Sequence, residues 1–158
     1  MDLKVVDMNR TYAEAILNWS YEEPYDFYNS ELSEDGIKEF LNSSYYAVVD
    51  HHEELIGFFC TGESAQVPFG VHYGAYTPGF IDVGLGMRPD LTGKGLGYPF
   101  LSFVLEFFKN QAPFRLTVAA FNERAARLYF KLGFRKETEF TFGNIVFMTM
   151  IKKADPNH

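Results

Sequence analysis

The sequence predicts an α/β domain in which helices flank both faces of a mixed, mostly antiparallel sheet. Three observations carry that prediction. Short β-branched and aromatic runs alternate with segments whose apolar residues recur at helical spacing, in the order β-α-α-β-β-β-α-β-α-β-β. Two strand pairs are joined by turns too short for a crossover, His51-His52-Glu53-Glu54 and Gly143-Asn144, so each should be an antiparallel hairpin. Residues 84–101 read as a strand end, a glycine-rich turn and the entry to an amphipathic helix.

Residues 3–8 form a short strand with Val5 and Val6, and Asn9 can cap the helix that carries Ala13, Ile16 and Leu17. Residues 20–30, SYEEPYDFYNS, are an aromatic and acidic loop around Pro24, expected to be partly packed and partly open to a ligand. Ser33 opens a second helix with Glu34 and Asp35 in its first turn and Ile37, Phe40 and Leu41 on its apolar side. Strands at 45–50 and 55–62 follow; His51 and His52 between them are expected to point apart into solvent. Residues 63–79 show no period and could be a loop or an irregular edge hairpin.

The next strand, 80–87, must end by Pro89, which has no N–H to donate. A helix from about 95 to 110 tolerates Pro99 because that residue falls in its first turn. Residues 115–120 are a strand, and 122–132 a helix with Ala125, Leu128, Tyr129 and Leu132 on one face, stopped by Gly133. Two alternating strands around Gly143-Asn144, in a type I′ or II′ turn, complete the fold. No linker or repeat interrupts the chain, so residues 1–153 are expected to be one domain, with 154–158 a disordered tail.

Composition narrows the function. A formal charge of −7 argues against nucleic acid as a partner, since phosphate neutralisation needs a basic face. It suits a cationic amine substrate, and it equally suits a plain soluble protein. Seventeen Phe and ten Tyr supply core volume first and a lining for an apolar ligand arm second. The single cysteine, Cys60, excludes an internal disulfide and lies in an apolar run where a buried thiol is expected. No histidine spacing suits a metal. No signal peptide and no apolar run of membrane-spanning length is present, so the protein is expected in the cytoplasm and off the membrane.

Gly93, Gly95 and Gly97 leave backbone N–H groups uncovered ahead of the helix bearing Phe100, Leu101, Val104, Leu105 and Phe108. Such a terminus, with unpaired donors and a positive dipole end, invites an anion such as a pyrophosphate. A tight turn with no ligand would carry the same glycines. A P-loop fails, because Gly93-Lys94 is followed by Gly95 rather than Ser or Thr and Arg88 stands five positions before Gly93. A dinucleotide fingerprint fails too: Gly84-x-Gly86 reaches Pro89, and Gly95-x-Gly97 reaches Phe100.

The segment Thr92-Gly93-Lys94-Gly95-Leu96-Gly97 resembles the coenzyme A loop of the GNAT superfamily of acyl-CoA-dependent N-acyltransferases, Gln/Arg-x-x-Gly-x-Gly/Ala. Thr92 stands where Gln or Arg is usual, a short hydroxyl in place of a long donor. A second segment, with Asn122, then Ala125-x-x-Leu128-Tyr129 and a closing Gly133-Phe134, is similar to the family's other signature. The two occur in the family's order, on a GNAT-like order of elements.

The resemblance implies an N-acetyltransferase that moves an acetyl group from acetyl-CoA, with no metal, to a primary amine by direct attack in a ternary complex. It implies that residues 92–97 (Thr92, Gly93, Lys94, Gly95, Leu96 and Gly97) hold the pyrophosphate, with Asn122 also on the cofactor. The backbone of Leu85 and Met87 would meet the pantetheine and the thioester oxygen. Tyr129 would be the general acid for the leaving thiolate and Asp82, directly or through water, the base. Tyr25 and Tyr28, with Glu22, Glu23 and Asp26 beside them, would border the acceptor, a small molecule or a peptide. Read from the residues alone, Tyr129 could merely pack, Asn122 could merely cap its helix, and Asp82 could be a solvated edge carboxylate. The competing class is a non-catalytic acyl-CoA-binding sensor or interaction module on the same fold. The C-terminal hairpin and the aromatic segment at 64–79 could pair two copies in a homodimer.

Overall fold

Asn9 stands between the first strand, β1 (Lys4–Asp7), and the first helix, α1 (Arg10–Leu17). Its side chain accepts the Tyr12 N–H at 2.8 Å, so the residue expected to cap the helix satisfies one of its orphan donors. The computed structural model describes residues 2–109, 111 and 113–153. The expected tail at 154–158 lies outside the described residues. Ser33 repeats the device at α2 (Glu34–Asn42), its hydroxyl oxygen accepting the Gly36 N–H at 3.0 Å.

Seven strands lie in the order β1-β2-β3-β4-β5-β7-β6, which is the mixed, mostly antiparallel sheet the sequence predicts. The described residues group into two compact units, 2–60 with 85–99, and 61–84 with 100–109, 111 and 113–153.

In the first unit, β1 pairs antiparallel with β2 (Tyr45–Val49), and β2 with β3 (Leu55–Thr61). Asp50 organises the tight turn between them, its Oδ1 accepting the N–H groups of His52 at 2.8 Å and Glu54 at 3.0 Å. His51 and His52 are exposed as expected, but they do not point apart: their ring centroids lie 3.9 Å from each other. The core of this unit joins Ala13, Ile16 and Leu17 of α1 to Ile37 and Phe40 of α2, with Trp19, Tyr45 and Phe58 packed on it. Leu41, expected on that face, is exposed instead. Phe58 lies directly over Gly86 of β4 (Ile81–Met87), where an added Cβ would come within 2.5 Å of the ring. Only glycine permits that approach.

In the second unit, β5 (Phe114–Ala119) pairs with β7 (Ile145–Lys152), and β7 with β6 (Arg135–Phe142), all antiparallel. The first residues of β4 join β5 in parallel, Ile81 opposite Phe114 and Asp82 opposite Arg115. Gly143 turns the β6–β7 hairpin at φ +63° while Asn144 stays out of the left-handed region, which selects type II′ over type I′. Residues 62–79 are a loop rather than a hairpin, built on two 3-10 turns at Gly62–Ala65 and Pro68–Tyr73. The loop packs down through Gly70, where a Cβ would lie 2.7 Å from the Phe140 ring. Helix α3 (Gly97–Phe107) starts two residues later than expected, and α4 (Glu123–Lys131) follows β5.

Candidate active site

The glycine loop that joins β4 to α3 is built by its own side chains. Arg88 donates from Nε to Asp90 Oδ1 at 2.6 Å and from Nη1 to the Leu55 carbonyl at 3.0 Å, while its N–H bonds the Ile56 carbonyl at 2.9 Å. The guanidinium holds the Asp90 carboxyl below the usual carboxylate range. Thr92 stands where the family uses a long donor, and its hydroxyl turns inward to the Pro89 carbonyl at 2.7 Å. That bond closes the short 3-10 turn at Pro89–Leu91.

Beyond it the chain bends through Gly93 at φ +72° and Gly95 at φ +76°, a conformation that L side chains resist. Gly93, Lys94 and Gly95 are exposed, and a Cβ added at Gly95 would meet nothing within 4 Å. Leu96 and Gly97 are half-buried where the helix begins. Bare backbone facing open space ahead of a helix N-terminus fits a pyrophosphate, and Lys94 adds the matching charge.

Leu85 is half-buried and Met87 buried at the end of β4. The Met87 carbonyl, expected to be open to a ligand, already accepts the Tyr21 hydroxyl at 2.7 Å. A carbonyl has a second lone pair, so the contact narrows its availability without ending it. Burial pushes the Tyr21 hydroxyl up to about 12. The sequence offers no signal for this bond, which spans 66 positions.

Tyr21 also pins the aromatic loop: its N–H donates to Asn29 Oδ1 at 2.7 Å. Tyr25 to Tyr28 form a 3-10 turn within it. Tyr25 is half-buried, Tyr28 is exposed against Phe27, and Glu22, Glu23 and Asp26 are exposed.

The second motif forms α4. Asn122 caps it, its side chain accepting the Ala125 N–H at 3.1 Å. At the other end the Phe134 N–H bonds the Tyr129 carbonyl at 2.9 Å and the Gly133 N–H bonds the Phe130 carbonyl at 3.0 Å, with Gly133 at φ +99°. This is a Schellman motif with its hydrophobic contact, since the rings of Tyr129 and Phe134 lie 6.2 Å apart. Tyr129 is 8% exposed. The ring therefore has a packing role whatever its hydroxyl does.

Asp82 is not a solvated edge carboxylate. It is 6% exposed, and Arg115, directly opposite on β5 and 2% exposed, grips it at 2.6 Å (Nε to Oδ1) and 2.9 Å (Nη2 to Oδ2). Gln66 adds a third donor at 3.0 Å. The guanidinium carbon sits 5.2 Å from the Tyr76 ring and 4.8 Å from that of Phe80. Tyr76 in turn accepts the Val67 N–H at 2.9 Å and lies 2.8 Å from Thr117 Oγ1. The Asp82–Arg115 pair thus fastens the 66–80 segment to the sheet. Arg115, in a mostly apolar run, is the residue the sequence reading missed.

No group of three or more His, Cys, Asp or Glu suited to a metal occurs among the described residues, and no described helix is long and apolar enough to cross a membrane. Cys60 is buried, as expected.

A chimera of the spermidine N-acetyltransferase SpeG from Vibrio cholerae with hSSAT superposes with a TM-score of 0.69 at 20% identity, covering 97% of this chain and 96% of its own. AAC(6')-Ib in complex with Parmomycin and acetyl-CoA gives 0.74 at 17% identity, with 97% and 94% covered. The aminoglycoside acetyltransferase AAC(6')-Ib with coenzyme A gives 0.73 at 17%, with 96% and 95% covered. At these identities the likeness is one of fold. No curated protein matches the chain in sequence. The profile of the Acetyltransferase (GNAT) family, however, matches residues 13–134, which span the braced glycine loop and the capped α4, and the chain is therefore an enzyme of the GNAT acetyltransferase family.

Proposed function

We propose that this acetyltransferase transfers an acetyl group from acetyl-CoA to the primary amine of a small cationic molecule or a peptide, by direct attack in a ternary complex. The observation that carries the reading is the loop at 93–97, whose glycines Gly93 and Gly95 are left-handed and exposed, with open space where a Gly95 side chain would stand, ahead of α3. Solved structures of the same fold hold acetyl-CoA or coenzyme A, and one carries spermidine in its name. The acids at Glu22, Glu23 and Asp26, exposed beside Tyr25 and Tyr28, suit an acceptor that arrives as a cation. We take residues 1–153 as one catalytic domain, because the family match crosses both compact units and each unit is assembled from two separate stretches of chain. A lone buried thiol suits the reducing cytoplasm.

In this reading residues 92–97 and Asn122 hold the cofactor, and the backbone at Leu85 and Met87 orients its arm. The neutral amine nitrogen attacks the thioester carbonyl, the C–N bond forms and the C–S bond breaks. Tyr129 gives its phenolic proton to the departing sulfur, and the proton shed by the acylated nitrogen restores the phenol. Asp82 is occupied by three donors and anchors the 66–80 segment through Arg115, so the acceptor ammonium loses its proton to water.

Isothermal titration with coenzyme A and turnover of acetyl-CoA with a panel of amines test the reading. Coenzyme A should bind the parent protein, and Gly95→Val, which forces a branched side chain into φ +76°, should abolish binding while the fold survives. Binding without turnover of any amine would favour the sensor; no binding at all would end both readings.

A further inference from the structure

A groove of about 610 Å³ lies between α4 and the β6–β7 hairpin and uses none of the residues assigned to the reaction. Its floor is apolar for a simple reason of period. Ala126 and Phe130 are one helical turn apart on α4, and Met148 and Met150 are two apart on β7, so each pair shares a face. Its rim is cationic: Arg127 and Lys131 form the neighbouring stripe of the helix, and Arg135 and Lys136 open β6.

Two features prepare this groove for an occupant. Phe130 is 57% exposed yet held in place, with the Arg135 guanidinium 4.0 Å over its ring and Arg135 Nη1 donating to the Phe130 and Phe134 carbonyls at 3.2 and 2.8 Å. The ion pair of Arg127 with Glu123, at 3.5 Å and about three-quarters exposed, is weak enough to exchange for another. Residues 123–139 hold five of the chain's 14 Lys and Arg and only three of its 21 Asp and Glu, in a protein of net charge −7. An occupant should therefore be acidic and carry apolar anchors.

The chain itself contains such a segment. Residues 21–32 carry Glu22, Glu23, Asp26 and Glu31, all exposed, and no Lys or Arg. Phe27 is 47% and Leu32 50% exposed beside them. Tyr21 and Asn29 already pin the loop's base, so docking would order little new backbone.

We propose that the groove between α4 and the β6–β7 hairpin receives the acidic aromatic loop, residues 21–32, of a second copy of this chain. Four acids then meet four cations around an apolar floor; two of the cations, Arg127 and Lys136, exchange exposed partners, Glu123 and Glu139. The contact is head to tail, with different surfaces on the two partners. The loop's acids are those proposed to border the acceptor, so the contact is read by mass, a measurement that does not depend on acetyl transfer.

The test is the mass of the purified full chain by sedimentation and light scattering across micromolar concentrations, at low and at near-molar salt. Self-association is expected, weakened at least tenfold by the salt because the pairs lie at a solvated rim. The double variant Arg127→Glu/Lys131→Glu should abolish it, as should Glu22→Lys/Glu23→Lys. Mixing the two variants should restore association, since each supplies the surface the other lacks in its new sign. A single-chain mass at every concentration would overturn the proposal. So would association indifferent to the groove variants, which would assign the contact to the exposed apolar patch of Phe69, Tyr73 and Phe142. Failure of the mixture to associate, with both variants folded by circular dichroism, would overturn it as well.

Discussion

Tyr129 carries two separable properties, a ring that closes the end of α4 and a hydroxyl that the proposed reaction uses. Tyr129→Phe keeps the first and removes the second. We expect the melting temperature and coenzyme A affinity to hold while kcat falls roughly 10²–10⁴-fold, the usual range for general acid catalysis. A packing role alone predicts a fully active Phe variant and an unstable Ala variant; kcat, affinity and melting curves for both decide. Asp82 is the converse case. Its carboxylate is committed to Arg115, and removing one partner of a buried pair strands the other charge at a cost of about 3–5 kcal/mol. Asp82→Asn should therefore lower stability in denaturant titration, with activity per folded molecule largely kept. A folded, stable Asp82→Asn enzyme whose activity returned only at high pH would restore Asp82 as the base.

At the scale of elements, the motif around α4 and the aromatic loop between α1 and α2 differ in what local sequence can specify. Asn122 and Gly133 set the two ends of α4 through contacts within a few residues, so both ends were legible. The aromatic loop is held instead by Tyr21 on the carbonyl of Met87, a bond with no local signature. It has a pH consequence. Burial raises the Tyr21 hydroxyl to about 12, and burial moves Tyr45 the same way. A raised folded value means that the stabilising contribution is complete below the ordinary phenol value of 10.0 and is lost as pH rises through about 12. Tyr21→Phe should remove one phenol from the absorbance titration in that window. It should also cost about 1 kcal/mol at neutral pH through the lost hydrogen bond, measured by thermal melts.

The charge of the whole molecule, −7, makes its acceptor preference testable without knowing the acceptor. If exposed carboxylates steer a cationic amine, raising ionic strength from about 0.01 to 0.15 M, which shortens the Debye length from about 30 to 8 Å, should raise the acceptor KM with kcat little changed. A strict preference for an anionic acceptor would exclude the proposal. The sequence by itself determined the strands and helices, their caps, the glycine loop and the family, because each rests on period, spacing or an end-capping residue acting over a few positions. Tertiary structure decided what those residues do. It bound Asp82 to Arg115 from another strand, turned Thr92 inward, placed Tyr21 on Met87, and made residues 62–79 a loop over Phe140. The reason is common to them: a carboxylate, hydroxyl or ring is spoken for by whichever group the fold brings within about 3 Å for a polar contact, and sequence separation does not encode that distance.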